Sequence, residues 1–138
     1  MAGPDEEEIR RRRMAWQLAL GASLVAGVAH VLSLRMLFLL VGLAQAIGGT
    51  GMFAELRRGA RGWGSRVALV AACTGAAYHL LMLALSALEG AAGTPQDPGF
   101  LFPSIFWGVV DPLIVVALLW GSPDGRPRAR PARSPGLV

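Results

Sequence analysis

Residues 101–120 read LFPSIFWGVVDPLIVVALLW. An apolar run of ~20 residues is what an α-helix needs to cross ~30 Å of hydrocarbon. Its one ionisable residue, Asp111, falls near the middle. A carboxylate at that depth is costly unless it is protonated, paired or wet. Three runs of the same character precede it, at 14–34, 37–56 and 67–88. Residues 14–58 are too many for one crossing and suit two, with a break at Arg35. That places a tight turn at 33–36, with Arg35 reaching the headgroups. The fold class is therefore all-α: a four-helix transmembrane bundle, up-down-up-down, over residues 14–120.

The bulk composition agrees. The chain has 138 residues, room for one domain, and is 54% hydrophobic but only 16% charged. Those proportions suit a polytopic membrane protein and disfavour a soluble domain. The net charge is +4, and all 13 basic residues are Arg. They sit at the ends of apolar runs, where they anchor and orient helices. Nucleic acid is accordingly not expected as a partner; the lipid bilayer is. Arg and Ala dominance also fits a GC-rich bacterial source.

Residues 1–13 form a charged arm, with Asp5 to Glu8 followed by Arg10 to Arg13. Gly27-Val28-Ala29 resembles a signal cleavage site, but the apolar run is longer than the usual ~7–15 residue signal core. Residues 121–138 alternate Pro, Arg and small residues and are expected to be a disordered tail. An even number of crossings puts Arg10 to Arg13, Arg57, Arg58, Arg61, Arg66, Arg126, Arg128, Arg130 and Arg133 on one side. Arg35 alone lies on the other. The positive-inside rule then makes both termini cytoplasmic, in the cell membrane of a bacterium. Trp16, Trp63 and Trp120 are expected at the inner interface. Glu55 reads as a solvated interfacial charge beside Arg57 and Arg58, and Cys73 as a small buried hydrophobe. Pro103 suits the first turn of the fourth span, whereas Pro112 lies inside it and frees a carbonyl near Gly108.

Each span carries one conspicuous polar residue: His30, Gln45, His79 and Asp111. Helical spacing places small residues on the same face. His30 shares its face with Ala19, Ser23, Ala26 and Gly27; His79 with Ala68, Ala72, Gly75 and Ala76. Gln45 stacks with Gly42 and Gly48, and Asp111 with Ser104, Trp107 and Gly108. Small residues at this spacing mark helix contacts in membranes, so the four polar residues point into the bundle. At ~1.5 Å per residue, His30 and His79 lie about 24 and 20 Å above the Arg-rich boundary, one helical turn apart.

Three uses of this polar column stand open. The two histidines, the only ones in the chain, can ligate a b-type haem between the first and third helices. Asp111 beside Pro112, with a histidine near, suits a proton-coupled carrier or channel. Or the column only fixes helix register. In that case the protein is a non-enzymatic accessory or stand-alone membrane subunit, its small-residue faces available for self-association. No nucleophile arrangement, phosphate loop or cysteine pair argues for an enzyme.

AGVAH at 26–30 followed by LFLLVGLAQAIGG at 37–49 resembles small four-helix integral membrane proteins common in high-GC bacteria. Those carry a His late in the first helix and G-x-x-Q in the second, matched here by His30, Gly42 and Gln45. The resemblance implies the topology. Labelling of single cysteines introduced near residues 5 and 126, in a Cys73→Ser background, is expected to place both on the cytoplasmic side. Opposite sides would exclude four crossings.

Overall fold

The computed structural model describes residues 5–33, 36–95 and 97–127. Among these, four helices and no strand occur: α1 (Glu6–Leu32), α2 (Met36–Arg58), α3 (Trp63–Ala91) and α4 (Pro98–Trp120). All four are long and apolar enough to span a membrane. Their backbones pack in a square, α1 on α2, α2 on α3, α3 on α4 and α4 back on α1. Arg35 and the centre of the expected turn lie outside the described residues.

Helix boundaries follow local chemistry. Asp5 caps α1 by accepting from the Glu7 amide at 3.4 Å, with Glu6, Glu7 and Glu8 in the first turn. Acidic groups there favour the positive end of the helix dipole. Glu7 then pairs with Arg11, and Glu8 with Arg12, one turn on. The charged arm is thus the start of α1 itself. Asp97 caps α4 through the Gly99 amide at 2.9 Å, and Pro98 takes the first helical position. The helix therefore starts earlier than 101, and Pro103 lies past its first turn. Both Pro103 and Pro112 are inside α4, where each removes a backbone donor.

Glu55 departs from the expected solvated charge. It is buried, and its Oε1 accepts from the Ser65 amide at 3.0 Å. Gly62, the residue before α3, has no side chain to cap that helix, so Glu55 of α2 supplies the acceptor. Trp16 is fully buried beneath Arg61 at the arginine-rich end, whereas Trp63 and Trp120 are exposed. Cys73 is exposed on the apolar outer surface.

Glycine brings the backbones together. A Cβ on Gly27 would lie 2.7 Å from the Ala46 nitrogen, and one on Gly48 2.6 Å from the Ala68 nitrogen. A Cβ on Gly51 would lie 2.6 Å from the Gly64 Cα. These are backbone atoms that cannot move aside. The core at the arginine-rich end is Trp16, Ala19, Met52, Ala68, Ile114 and Leu118. Leu18, Leu40, Val70 and Val116, one from each helix, are exposed on the outside. Large apolar side chains outward and small ones inward is the pattern for a bundle surrounded by lipid.

Residues 121–127, expected as the start of a disordered tail, instead form a packed turn. Gly121, Ser122, Pro123 and Gly125 are buried there. Ser122 donates its amide to the Arg12 carbonyl at 3.1 Å, and Gly125 adopts φ 77° against Ile9. Arg12 donates to the Trp120 carbonyl at 3.0 Å and Arg61 to the Gly121 carbonyl. Two guanidinium groups thus satisfy the last carbonyls of α4. Arg61 also lies over the Trp16 ring, 4.9 Å from its centroid. Residues 128–138 lie outside the described residues.

Gly48→Val is expected to destabilise the fold by about 1–3 kcal/mol or more through overpacking. Gly21→Ala, where a Cβ meets nothing within 4 Å, is expected to be neutral or stabilising by up to ~1 kcal/mol. Unfolding in graded dodecyl sulfate, followed by circular dichroism, measures both.

Candidate functional site

The four polar residues are all buried, with exposures of 2% for His30, 0% for Gln45, 3% for His79 and 0% for Asp111. Each comes from a different helix. Each is brought inward by the small residues on its own face. Gly42 is one example: a Cβ there would lie 2.8 Å from the His30 Cβ. Gly75 is another, since a Cβ there would overlap Asp111 Oδ2.

Three contacts link them into one chain. Gln45 donates from Nε2 to Asp111 Oδ1 at 3.0 Å. Its Oε1 lies 2.9 Å from His30 Nδ1. His30 Nε2 lies 3.4 Å from His79 Nε2. The order is Asp111–Gln45–His30–His79. The first and last contacts cross the two diagonals of the square, α2 to α4 and α1 to α3. The one-turn offset expected between the histidines does not keep their rings apart.

Donor and acceptor accounting fixes the protons when Asp111 is ionised. A carboxylate only accepts, so the Gln45 amide turns its NH₂ toward Asp111 and its oxygen toward His30. An amide oxygen only accepts, so His30 Nδ1 carries a proton. In a neutral ring His30 Nε2 is then a bare lone pair, and His79 Nε2–H donates to it. His79 Nδ1 is left bare as well. Both His79 Nδ1 and Asp111 Oδ2 are buried without a hydrogen-bond partner. With Asp111 ionised, the cluster holds two acceptors with no donor among the described side chains, and a proton on Asp111 Oδ2 would fill one of them.

Aromatic rings wall the histidine end. Phe38 stacks on both His30 and His79, with centroids 5.4 and 5.2 Å away. Trp107 approaches His30 at 4.7 Å, and Tyr78 meets His79 edge-on at 5.4 Å. A cavity of about 210 Å³ reaches His30 and His79 from the end of the bundle opposite the arginine-rich one. Ser33, Gly99, Phe100, Pro103 and Ser104 contribute to its walls. Pro103 has no N–H for the Gly99 carbonyl one turn earlier, which frees that oxygen from the helix ladder.

A haem between His30 and His79 does not fit this geometry. The two Nε2 atoms face each other at 3.4 Å, and the Phe38 ring stacks on both imidazoles. A porphyrin plate would require α1 and α3 to part and this ring to leave. Gly75 and Trp107 lie on the faces that helical spacing picked out, whereas Phe38, which stacks on both imidazoles, is the part of the site that spacing did not single out.

Gln45→Leu leaves Asp111 Oδ1 without its partner and removes one of the two acceptors of the His30 ring, the other being the Ala26 backbone. It is expected to lower stability by about 1–3 kcal/mol. It is also expected to shift the His30 Nδ1 resonance, read by nitrogen NMR of labelled histidine. An unchanged resonance would contradict the Gln45–His30 contact. In comparisons with family models, with curated proteins and with solved structures, the chain matches none of them.

Proposed function

We propose that this chain is a small multi-pass protein of a bacterial cytoplasmic membrane, its arginine-rich end cytoplasmic, that takes up protons at Asp111 and the histidine pair and passes them across the membrane. It acts as a proton-coupled carrier or gated channel and not as an enzyme. The observation that carries this reading is the buried chain Asp111–Gln45–His30–His79 with two acceptors unfilled. Intramembrane carboxylate and imidazole groups in contact are the materials of proton relays. Imidazole exchanges protons near neutral pH, and an amide between two titratable groups can hand its orientation from one to the other.

The 210 Å³ cavity lined by His30 and His79 is large enough to hold water and gives the route an entrance. Toward the arginine-rich end, Trp16, Met52, Ile114 and Leu118 close the bundle, each no more than 1% exposed. One-sided access to a central site suits a gated transporter better than a continuous pore. Pro112, next to Asp111, is where α4 lacks a backbone donor and can bend.

The accessory-subunit reading draws less support. The small-residue faces that a partner helix would use are spent within the chain, Gly27 on Ala46, Gly48 on Ala68 and Gly51 on Gly64. The haem b reading is disfavoured by the histidine contact.

The purified chain in liposomes, with a pH dye inside and an imposed potential, tests the proposal. Wild-type protein is expected to move protons at least tenfold faster than empty vesicles, and Asp111→Asn to return the rate to background. Infrared spectroscopy should show one buried carboxyl band that titrates and disappears in Asp111→Asn. Background flux together with no titrating band would overturn the reading.

A further inference from the structure

The unfilled acceptors admit a second kind of occupant. One nitrogen from each of His30 and His79 and one carboxylate oxygen of Asp111 lie within 4.8 Å of one another, and all three residues are buried. We propose that these three side chains bind a divalent first-row transition-metal ion, coming from α1, α3 and α4, with Gln45 of α2 as the positioning residue. Asp111 Oδ2 offers the lone pair left bare in the proton chain, whereas His30 Nε2 and His79 Nε2 become ligands when His79 carries its proton on Nδ1; the site does not rest on proton transport.

The geometry is close to what such an ion requires. Two nitrogens bound at ~2.0–2.1 Å on a tetrahedral ion are ~3.4 Å apart. His30 Nε2 and His79 Nε2 are 3.4 Å apart before any ion is present. The carboxylate must close the remaining gap, and Asp111 has room to do so because Gly75 presents no side chain to Oδ2. Two imidazoles and one carboxylate favour zinc, cobalt, nickel, iron or copper over magnesium and calcium, which prefer all-oxygen shells. Water in the cavity can complete the coordination.

Gln45 does what outer partners of metal-bound histidines do. Its Oε1 accepts a hydrogen bond from His30 Nδ1–H, which leaves Nε2 as the ligand atom and fixes the ring. Its NH₂ holds Asp111 Oδ1, leaving Oδ2 free. One amide thereby orients two of the three ligands. The carboxylate offsets one of the two charges of a dication held between two neutral imidazoles, and pairing spares Asp111 the cost of a bare buried charge.

The test is titration of the full chain in detergent, stripped of metal, with Co²⁺ followed by its visible absorption, then displacement by Zn²⁺. About one Co²⁺ per chain is expected, displaced by Zn²⁺ and indifferent to excess Mg²⁺. Binding should be lost as pH falls, because protons compete for the same lone pairs. Gln45→Ala is expected to weaken binding by about 10–100-fold without changing the stoichiometry. Gly75→Ala keeps every ligand but fills the space of Oδ2, and should weaken binding at least tenfold. Circular dichroism of each variant reports whether it has folded. Wild-type protein that binds well under one Co²⁺, or binding equal in wild type and a folded His79→Ala/Asp111→Ala variant, overturns the site. Stoichiometric binding without Asp111-dependent proton flux supports the site and removes the transport reading alone.

Discussion

The amide of Gln45 is the piece on which the centre of this bundle depends. It is fully buried and touches groups from two other helices, His30 of α1 and Asp111 of α4. Hydrophobic attraction does not distinguish helix from lipid inside a membrane. Packing and polar contacts must therefore decide which helices meet and in what register. Here the small residues do the first job, letting Gly27 reach Ala46 and Gly48 reach Ala68. The polar chain does the second. Its two cross-diagonal contacts exist only because the glycine and alanine faces make the square narrow enough for side chains to span it.

That arrangement leaves an imbalance. Accounting for each donor and acceptor leaves His79 Nδ1 and Asp111 Oδ2 buried and unsatisfied. An unpaired buried acceptor costs about 1–3 kcal/mol, and a purely structural network would gain by removing both. A proton or a metal ion on Asp111 Oδ2 would relieve that oxygen. The aromatic wall of Phe38, Tyr78 and Trp107 supports the same conclusion, since ring faces favour a nearby positive charge. Binding of a positive charge is thus the common element of the two proposals.

The opposite end of the bundle is built for closure. Arg12 and Arg61 hold the last carbonyls of α4, and the turn at 121–125 packs on the first turns of α1. Trp16 sits beneath them in the core. The chain therefore has one end where charge is used for capping and one end with a cavity that reaches the histidines. Glu55 adds to the capping by serving α3 from α2.

Much of this was legible in the residues themselves. Four apolar runs of crossing length specify four helices, because the backbone must satisfy its own hydrogen bonds in lipid. The spacing of small residues around His30, Gln45, His79 and Asp111 picks out the face each occupies, because a helix has a fixed period. Chain order and tertiary packing decided the rest. Depth counted along each helix separately put the histidines a turn apart, and only the packed bundle shows their nitrogens 3.4 Å from each other. Glu55 and Trp16 read as interfacial by composition, since no local rule reveals that a neighbouring helix lacks a cap or that an indole has a slot beneath an arginine. The helical start of the arm rests on local contacts, the Asp5 cap and the Glu7–Arg11 and Glu8–Arg12 pairs. The folded turn at 121–125 is stabilised by contacts with α1 more than a hundred positions away, and no window along the sequence contains both partners.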